Sequence, residues 1–248
     1  MSNDSLSGMR TLVVGASSGI GREVVVQLVG RGARVVAAAR RVDRLVELAG
    51  AQAMGCDVRE PEQCERLVSD AAAHLGGLDA VVFASGVGRF TPLDQAGADD
   101  WLDILRTNLL GGVLVTRSAL RHLTAEGSQG RAVFLTSDSG ERPYPGLVAY
   151  GVSKGALGLF CLGLRGEYPS LRVTDVSVGP TSDTEVSNQM DPEFLSYWID
   201  RWYAEGWIKY ELQTPQDVAA IVVDALQAQA PEPFLEARGD LVSSALAQ

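Results

Sequence analysis

Three side chains between positions 131 and 160 have the types and spacing for acid–base chemistry at an oxygen atom: Ser137, Tyr150 and Lys154. Tyr150 and Lys154 stand at i and i+4, so on a helix they share one face. A phenol is a weak acid–base catalyst unaided, with a reference pKa of about 10 and about one group in a thousand ionised at neutral pH. An ammonium about 4 Å away, at an effective dielectric of about 20, is worth about 4 kcal/mol before desolvation, or up to about three pKa units. The expectation is a Tyr150 brought close to neutrality by Lys154. Ser137 can hydrogen-bond the same oxygen that the phenol protonates, which is what a carbonyl gaining negative charge requires. A Tyr-x-x-x-Lys pair alone is common on amphipathic helices, so the surrounding elements must decide the matter.

Those elements alternate regularly. An apolar run at 132–135 predicts a buried strand ending at Ser137, and a helical pattern follows from about 150. At the front of the chain, a strand at 10–14 runs into Gly15-Ala-Ser17-Ser18-Gly19-Ile20-Gly21 and then a helix through Val24, Val25 and Leu28. Strand, glycine turn and helix in that order open a dinucleotide-binding unit, with the helix N-terminus offering N–H groups to a pyrophosphate. A second strand at 34–39 ends in Arg40-Arg41 where an NAD site would carry an acidic residue. A guanidinium there suits a 2′-phosphate. At roughly 1.5–3 kcal/mol per charge-assisted bond, NADPH should be preferred by at least about tenfold.

Further strands are expected at 53–58, ending in Asp57-Val58, at 78–84, leading to Ser85-Gly86, and at 171–178, before Gly179-Pro180. A long helix at 99–123 is interrupted by Asn108, Gly111 and Gly112, residues that disfavour regular helical bonding and permit a bend. Thr214-Pro215-Gln-Asp217 reads as an N-cap opening a helix to about 230, and 233–237 as an edge strand. The expected fold is α/β: a doubly wound, seven-stranded parallel sheet with helices on both faces, the Rossmann arrangement. Ligands then bind at the carboxyl ends of the strands, where Gly15, Arg40, Asp57, Gly86, Ser137 and Gly179 all fall.

Length and composition are consistent with this. A chain of 248 residues with 46% hydrophobic and 21% charged residues suits one large domain, read here as 10–248 behind a loose tail at 1–9. A net charge of −10 argues against nucleic acid or an anionic membrane as partner. The opening residues lack the basic and apolar regions of a secretion signal and no run of about 18 apolar residues occurs, so a cytoplasmic location is expected. Cys56, Cys64 and Cys161 lack metal-ligand spacing; they read as thiols, with no metal. The segment 184–212 holds Tyr197, Trp198, Trp202 and Trp207, with Phe194, Tyr197 and Trp202 at helical spacing. It reads either as core or subunit contact, or as a lid over an apolar substrate.

Taken together, GASSGIG, Asp57-Val58, Asn108 in its long helix, Ser137 and the Tyr150-Gly-Val-Ser-Lys154 run resemble the short-chain dehydrogenase/reductase family in order and spacing, from position 10 onward. The resemblance implies a tetrad of Asn108, Ser137, Tyr150 and Lys154. Tyr150 would donate the proton, Ser137 hold the substrate oxygen, Lys154 bind the nicotinamide ribose and lower the tyrosine pKa, and Asn108 hold a water of the proton relay. It also implies Asp57 and Val58 at the adenine, Ala84 and Gly86 on the cofactor, Thr184 near the carboxamide, and a tetramer or dimer. The chain departs from the family at Phe83-Ala84-Ser85-Gly86, where Asn-Asn-Ala-Gly is usual, at Gly179-Pro180, where Pro-Gly is usual, and at Val14, where threonine is common. Asp138 beside Ser137 is unexpected and reads as a rim carboxylate. The implied activity is NADP(H)-dependent interconversion of a carbonyl and an alcohol, and the aromatic segment, read as a lid, suits an apolar substrate. Reduction of an activated C=C bond, or a non-catalytic NADP(H)-binding scaffold, are the alternatives.

Overall fold

The computed structural model describes residues 6–182, 184, 192–208, 211–228 and 234–237. Seven strands, β1 (Arg10–Val14), β2 (Arg34–Ala39), β3 (Ala51–Gly55), β4 (Ala80–Phe83), β5 (Arg131–Leu135), β6 (Arg172–Val178) and β7 (Phe234–Ala237), form one sheet in the order β3-β2-β1-β4-β5-β6-β7. Every neighbouring pair is parallel. The central strands are apolar along their whole length because both faces are covered; Leu12 to Val14 and Ala80 to Phe83 are all buried.

The helices are α1 (Gly19–Gly30), α2 (Val42–Leu45), α3 (Pro61–Leu75), α4 (Ala98–Leu105), α5 (Gly111–Leu123), α6 (Val148–Glu167), α7 (Pro192–Ala204) and α8 (Pro215–Gln227). On one face α3, α5 and α6 bury Leu67, Val115 and Leu157 against Phe83 and Phe134. On the other, α1 and α8 bury Leu28 and Val222 against Val13, Val82 and Val176. The chain reverses its winding direction between β1 and β4, which opens a crevice at their carboxyl ends.

Helix α8 starts as its sequence predicts. The Thr214 hydroxyl accepts from the Asp217 N–H, the Asp217 carboxylate accepts from the Thr214 N–H, and Pro215 occupies the first turn. Thr214→Ala should cost about 1 kcal/mol, read as a fall of about 2–4 °C in the thermal midpoint; an unchanged midpoint would show that water replaces the cap.

Two boundaries differ from expectation by more than the usual end residues. The third strand covers Ala51–Gly55 instead of 53–58, because the Cys56 N–H makes the last bond to β2 and the chain then turns away. Asp57 N–H instead donates to Gln63 Oε1. Residues 6–9 do not form part of a loose tail: Leu6 is fully buried in the α1 side of the core, and Gly8 N–H bonds the Gly32 carbonyl. Residues 1–5 lie outside the described residues. The long helix runs from Ala98 to Leu123 and is interrupted where expected, residues Arg106–Leu110 forming a π turn around Asn108. No helix among the described residues is long and apolar enough to cross a membrane, and no group of three or more metal-ligating side chains occurs among them.

Candidate active site

Ser137 leaves β5 in an extended conformation and caps a short 3-10 turn, Asp138–Gly140. That turn lies directly on α6. A Cβ on Gly155 would come within 2.7 Å of the Gly140 carbonyl oxygen, so glycine is what allows the contact. The approach sets Ser137 and Tyr150 on the wall of one cleft. Lys154, one turn further along, is buried and donates from Nζ to the Leu135 carbonyl at 2.7 Å; the Nζ is 5.7 Å from the Tyr150 ring centre.

The electrostatics correct the expectation for Tyr150. Its phenol is not brought near neutrality but pushed up to about 12, first by burial, with the nearby Ser137 hydroxyl opposing and the Asp138 charge adding. The Lys154 ammonium is spent on the Leu135 carbonyl, and burial pulls its own pKa down to about 8 against the attraction of Asp175. A pairwise Coulomb argument misses this because it leaves out the cost of desolvating both groups.

Asp138 does not sit on the rim. It is 8% exposed, and its carboxylate accepts from the Tyr144 hydroxyl at 2.6 Å and from the Ser137 hydroxyl at 3.3 Å. Ser139, also buried, donates its N–H at 3.3 Å and its hydroxyl at 3.1 Å to Ser137 Oγ. Neither Tyr144 nor Ser139 was identifiable from spacing; the only signal was an unusual density of hydroxyls around Ser137.

Asn108 is fully buried behind the site. Its Oδ1 accepts from Val87 N–H at 2.8 Å, and its Nδ2 donates to the Val87 carbonyl at 2.9 Å and to Ser153 Oγ at 3.0 Å. Ser153 in turn donates to the Tyr150 carbonyl at 2.7 Å. The side chain therefore braces the loop after β4 to the helix that carries Tyr150.

A single cleft of about 470 Å³ joins the chemistry to the glycine turn. Gly15, Ser17, Ser18, Gly19, Ile20 and Gly21 line one end, with Arg40, Arg41, Asp57 and Val58 beyond them. Ala84 and Gly86 lie midway, and Ser137, Tyr150, Lys154 and Thr184 line the other end. Of the catalytic and cofactor-binding residues singled out in the sequence, Asn108 alone does not line this cleft. Gly15 has φ +95°, and a Cβ there would lie 2.5 Å from Ser85 N; the backbone comes this close because no side chain intervenes. Ser18, the N-cap of α1, makes no side-chain cap bond. Arg41 donates to Ser17 Oγ at 3.0 Å and Ser18 Oγ at 3.4 Å. Thr107, on the cleft wall, keeps a buried hydroxyl without a hydrogen-bond partner. The Asp57 carboxylate, held below its ordinary pKa by Arg59, accepts three bonds from that guanidinium and one from the Arg59 N–H.

The departures from the family pattern leave the frame intact. Ala84 N–H bonds the Val14 carbonyl at 2.8 Å without an asparagine side chain. The Gly179 carbonyl accepts from Thr181 and Gln213, which ties the path toward Thr184 to the start of α8. Within the segment 184–212, residues 185–191 and 209–210 and the side chain of Phe194 lie outside the described residues. Leu195, Ile199 and Trp202 of α7 line the cleft beside Tyr150. Trp198 is buried behind them, 6.5 Å from Phe90 between ring centres, while Trp202 stacks at 4.9 Å on Phe90 and donates its indole N–H to the Pro145 carbonyl. Of the three tryptophans in the segment read as a lid, Trp198, Trp202 and Trp207, Trp202 alone lines the cleft.

Comparison with known proteins agrees with this geometry. Residues 10–193 match the short chain dehydrogenase family. The chain is 33% identical over 232 residues to a glycine betaine reductase of Emericella nidulans, covering 90% of this chain but only 18% of that much longer protein. It is 31% identical over 188 residues to an NADP-dependent 3-hydroxy acid dehydrogenase of Escherichia coli, covering 73% of this chain and 75% of the other. Among solved structures, a short-chain dehydrogenase from Streptomyces avermitilis superposes with a TM-score of 0.81 at 25% identity, covering 97% of this chain and 93% of that one. The closed form of a serine dehydrogenase complexed with NADP+ gives 0.80 at 27% identity, covering 93% and 95%. The matched residues take in the glycine turn, the Asn108 π turn and the Ser137, Tyr150 and Lys154 group, and the chain belongs to the short-chain dehydrogenase family of nicotinamide-dependent oxidoreductases.

Proposed function

We propose that the protein is an NADP(H)-dependent oxidoreductase that interconverts a ketone or aldehyde and the corresponding alcohol. The observation that carries the reading is that one cleft is lined both by the glycine turn with Arg40 and Arg41 and by Ser137, Tyr150 and Lys154. The residues fit the cofactor: the backbone at Gly15 leaves room that a Cβ would fill, α1 presents an uncapped N-terminus, and Thr107 has an unpaired hydroxyl on the wall. In this reading Gly15 to Gly21 hold the pyrophosphate, Arg40 and Arg41 with Ser17 hold a 2′-phosphate, and Asp57 and Val58 border the adenine. Ala84 and Gly86 flank the middle of the nucleotide, Thr184 meets the carboxamide, and Tyr150 and Lys154 meet the ribose. A bound NADPH would supply the hydride.

The chain's own part is the proton and the substrate oxygen. Tyr150, protonated at neutral pH, donates to the oxygen as it gains charge, and Ser137 steadies that oxygen. Lys154, mostly ammonium at pH 7, keeps a cation behind the phenol and favours the phenolate left after donation. Asn108 positions Tyr150 through Ser153 and holds the relay water at the π turn. Phe90, Leu147, Ile199 and Trp202 make the substrate end apolar and exclude water from it. Among candidate substrates, 3-hydroxy acids fit less well than neutral carbonyl compounds, because Asp138 sets a carboxylate beside Ser137. Leu159 and Leu162 of α6, 71% and 62% exposed, support assembly with further copies of the chain into a dimer or tetramer.

Cofactor choice is tested by tryptophan-quenching titrations with NADPH and NADH. Arg40→Ala should weaken NADPH binding by at least about tenfold and leave NADH unchanged. Equal affinity of the native protein for both nucleotides would overturn the NADP assignment, and binding of neither would overturn the enzyme reading.

A further inference from the structure

The substrate end of the cleft has apolar and aromatic walls, yet a carboxylate is set into it. Asp138 lines the cleft and is nearly fully buried, with Oδ2 accepting from the Tyr144 hydroxyl at 2.6 Å and Oδ1 lying 3.3 Å from Ser137 Oγ. Phe90, Tyr144, Leu147 and Trp202 line the same end. Trp202 packs on Phe90 at 4.9 Å and on Tyr144 at 5.0 Å between ring centres. Holding a carboxylate among such groups carries a desolvation cost, and a cation brought against it offsets that cost. A purely apolar carbonyl compound makes no use of the charge.

We propose that Asp138 forms a cation subsite, and that the preferred substrates are ketones or aldehydes with an alkylated ammonium group on the carbon next to the carbonyl. The inference rests on the oxidoreductase reading and names a substrate class for it. Ser137, which holds the carbonyl oxygen in that reading, is 3.3 Å from Oδ1, so the carbon beside the carbonyl falls within reach of the carboxylate. The Ser139 N–H and hydroxyl fill the lone pairs of Ser137 Oγ, and its single proton goes either to Asp138 or to the substrate oxygen. An ammonium against Asp138 meets the carboxylate's charge and releases that proton to the oxygen. The aromatic rings attract the cation, and its alkyl groups pack on the apolar wall. In the reaction the carbonyl carbon gains the hydride of NADPH and the oxygen gains the Tyr150 proton. The products are an amino alcohol, NADP+ and a phenolate that recovers its proton from solvent, and the ammonium is unchanged.

The other ionisable groups nearby leave this charge in command of the substrate end. Arg40, Arg41 and Asp57 lie at the far end of the cleft, and Lys154 directs its Nζ to the Leu135 carbonyl. Arg142 is exposed, 4.1 Å over the Trp207 ring, and Glu141 is exposed and turned to Ser177. Neither lines the cleft, nor do Asp200 and Glu205 of α7. Among the described residues, Asp138 is the one carboxylate on the wall beside Ser137.

The experiment is a calorimetric titration of the full-length protein, with and without NADPH, by amino alcohols and their neutral isosteres. The alcohols are the reduced forms of acetone and acetophenone bearing trimethylammonium on a methyl carbon. The isosteres carry tert-butyl in its place, so each pair differs in charge and not in shape. None of these alcohols reacts with NADPH, so binding is read whether or not the protein transfers hydride. The native protein should bind each cation about ten- to a hundredfold more tightly than its isostere, the range for one charge-assisted contact. Asp138→Asn should level or reverse that order, because tert-butyl is the more apolar group, whereas Tyr144→Phe, which keeps the charge, should preserve it. Asp138→Ala serves if the asparagine variant fails to fold. With the corresponding ketones and NADPH, the cation-to-isostere ratio of kcat/KM should fall by the same factor in the Asp138 variant, a comparison in which the ketones' unequal reactivity cancels. Selective binding without turnover of either ketone supports the subsite and counts against the oxidoreductase reading. Isosteres bound by the native protein as tightly as the cations, or a preference that survives loss of the Asp138 carboxylate, overturns the proposal.

Discussion

Replacing Tyr150 with phenylalanine should reduce hydride transfer by about a hundred- to ten-thousand-fold, the range for loss of a positioned proton donor, while nucleotide binding persists. The phenol oxygen is the only heavy atom removed, and the ring stays packed against the apolar cluster that includes Leu147 and Trp202. Two measurements make the comparison: NADPH consumption over a panel of neutral aryl and alkyl ketones, and tryptophan quenching by NADPH alone. Collapse of the first with retention of the second identifies Tyr150 as the proton donor. A variant as active as the native protein would rule out this chemistry for that activity and bring the nucleotide-binding scaffold forward.

Asn108→Leu should have a comparably large effect, but on stability. The amide is fully buried and satisfies Val87 N–H, the Val87 carbonyl and Ser153 together, and leucine, similar in size, satisfies none of them. At about 1–3 kcal/mol for each buried group left unpaired, the loss is roughly 3–5 kcal/mol, or a fall of about 10 °C or more in the thermal midpoint for a chain of this size. Scanning calorimetry decides it. A midpoint within a degree or two of the native value would mean that the Val87 loop finds other partners and that Asn108 is not a brace. Aspartate at this position would retain the bond from Val87 N–H but lose the donors to the Val87 carbonyl and Ser153, so it should fall between the two.

The parts of the molecule governed by local rules were readable in advance. Gly15 to Gly21 after an apolar strand and Thr214-Pro215 before an apolar-periodic run each take their conformation from neighbours a few residues away. What escaped depends on partners that no periodicity reveals. Asp138 looked like a rim group because nothing in its immediate run says that Tyr144, in an irregular loop, turns its hydroxyl back onto it. Leu6 looked like tail because a single apolar residue among serines carries no pattern, yet it fills a slot beside α1. Tyr150 and Lys154 lie near each other as their spacing implies, with Nζ 5.7 Å from the ring centre, but their proton affinities depend on burial by α7 and the turn after β5, a property of the assembled site.

The π turn at Arg106–Leu110 has a consequence for the whole rod that contains it. A π turn holds one residue more than an α turn, and one residue corresponds to about 100° of rotation about the axis. The segments before and after Asn108 are therefore out of phase: α4 directs its contacts to α6, whereas α5 directs its own to α3 and the sheet. Deleting one residue within 106–110 would restore a regular helix and swing one of these two apolar stripes into solvent. The lesion would resemble a frameshift in packing, with every downstream side chain correct in identity and wrong in direction.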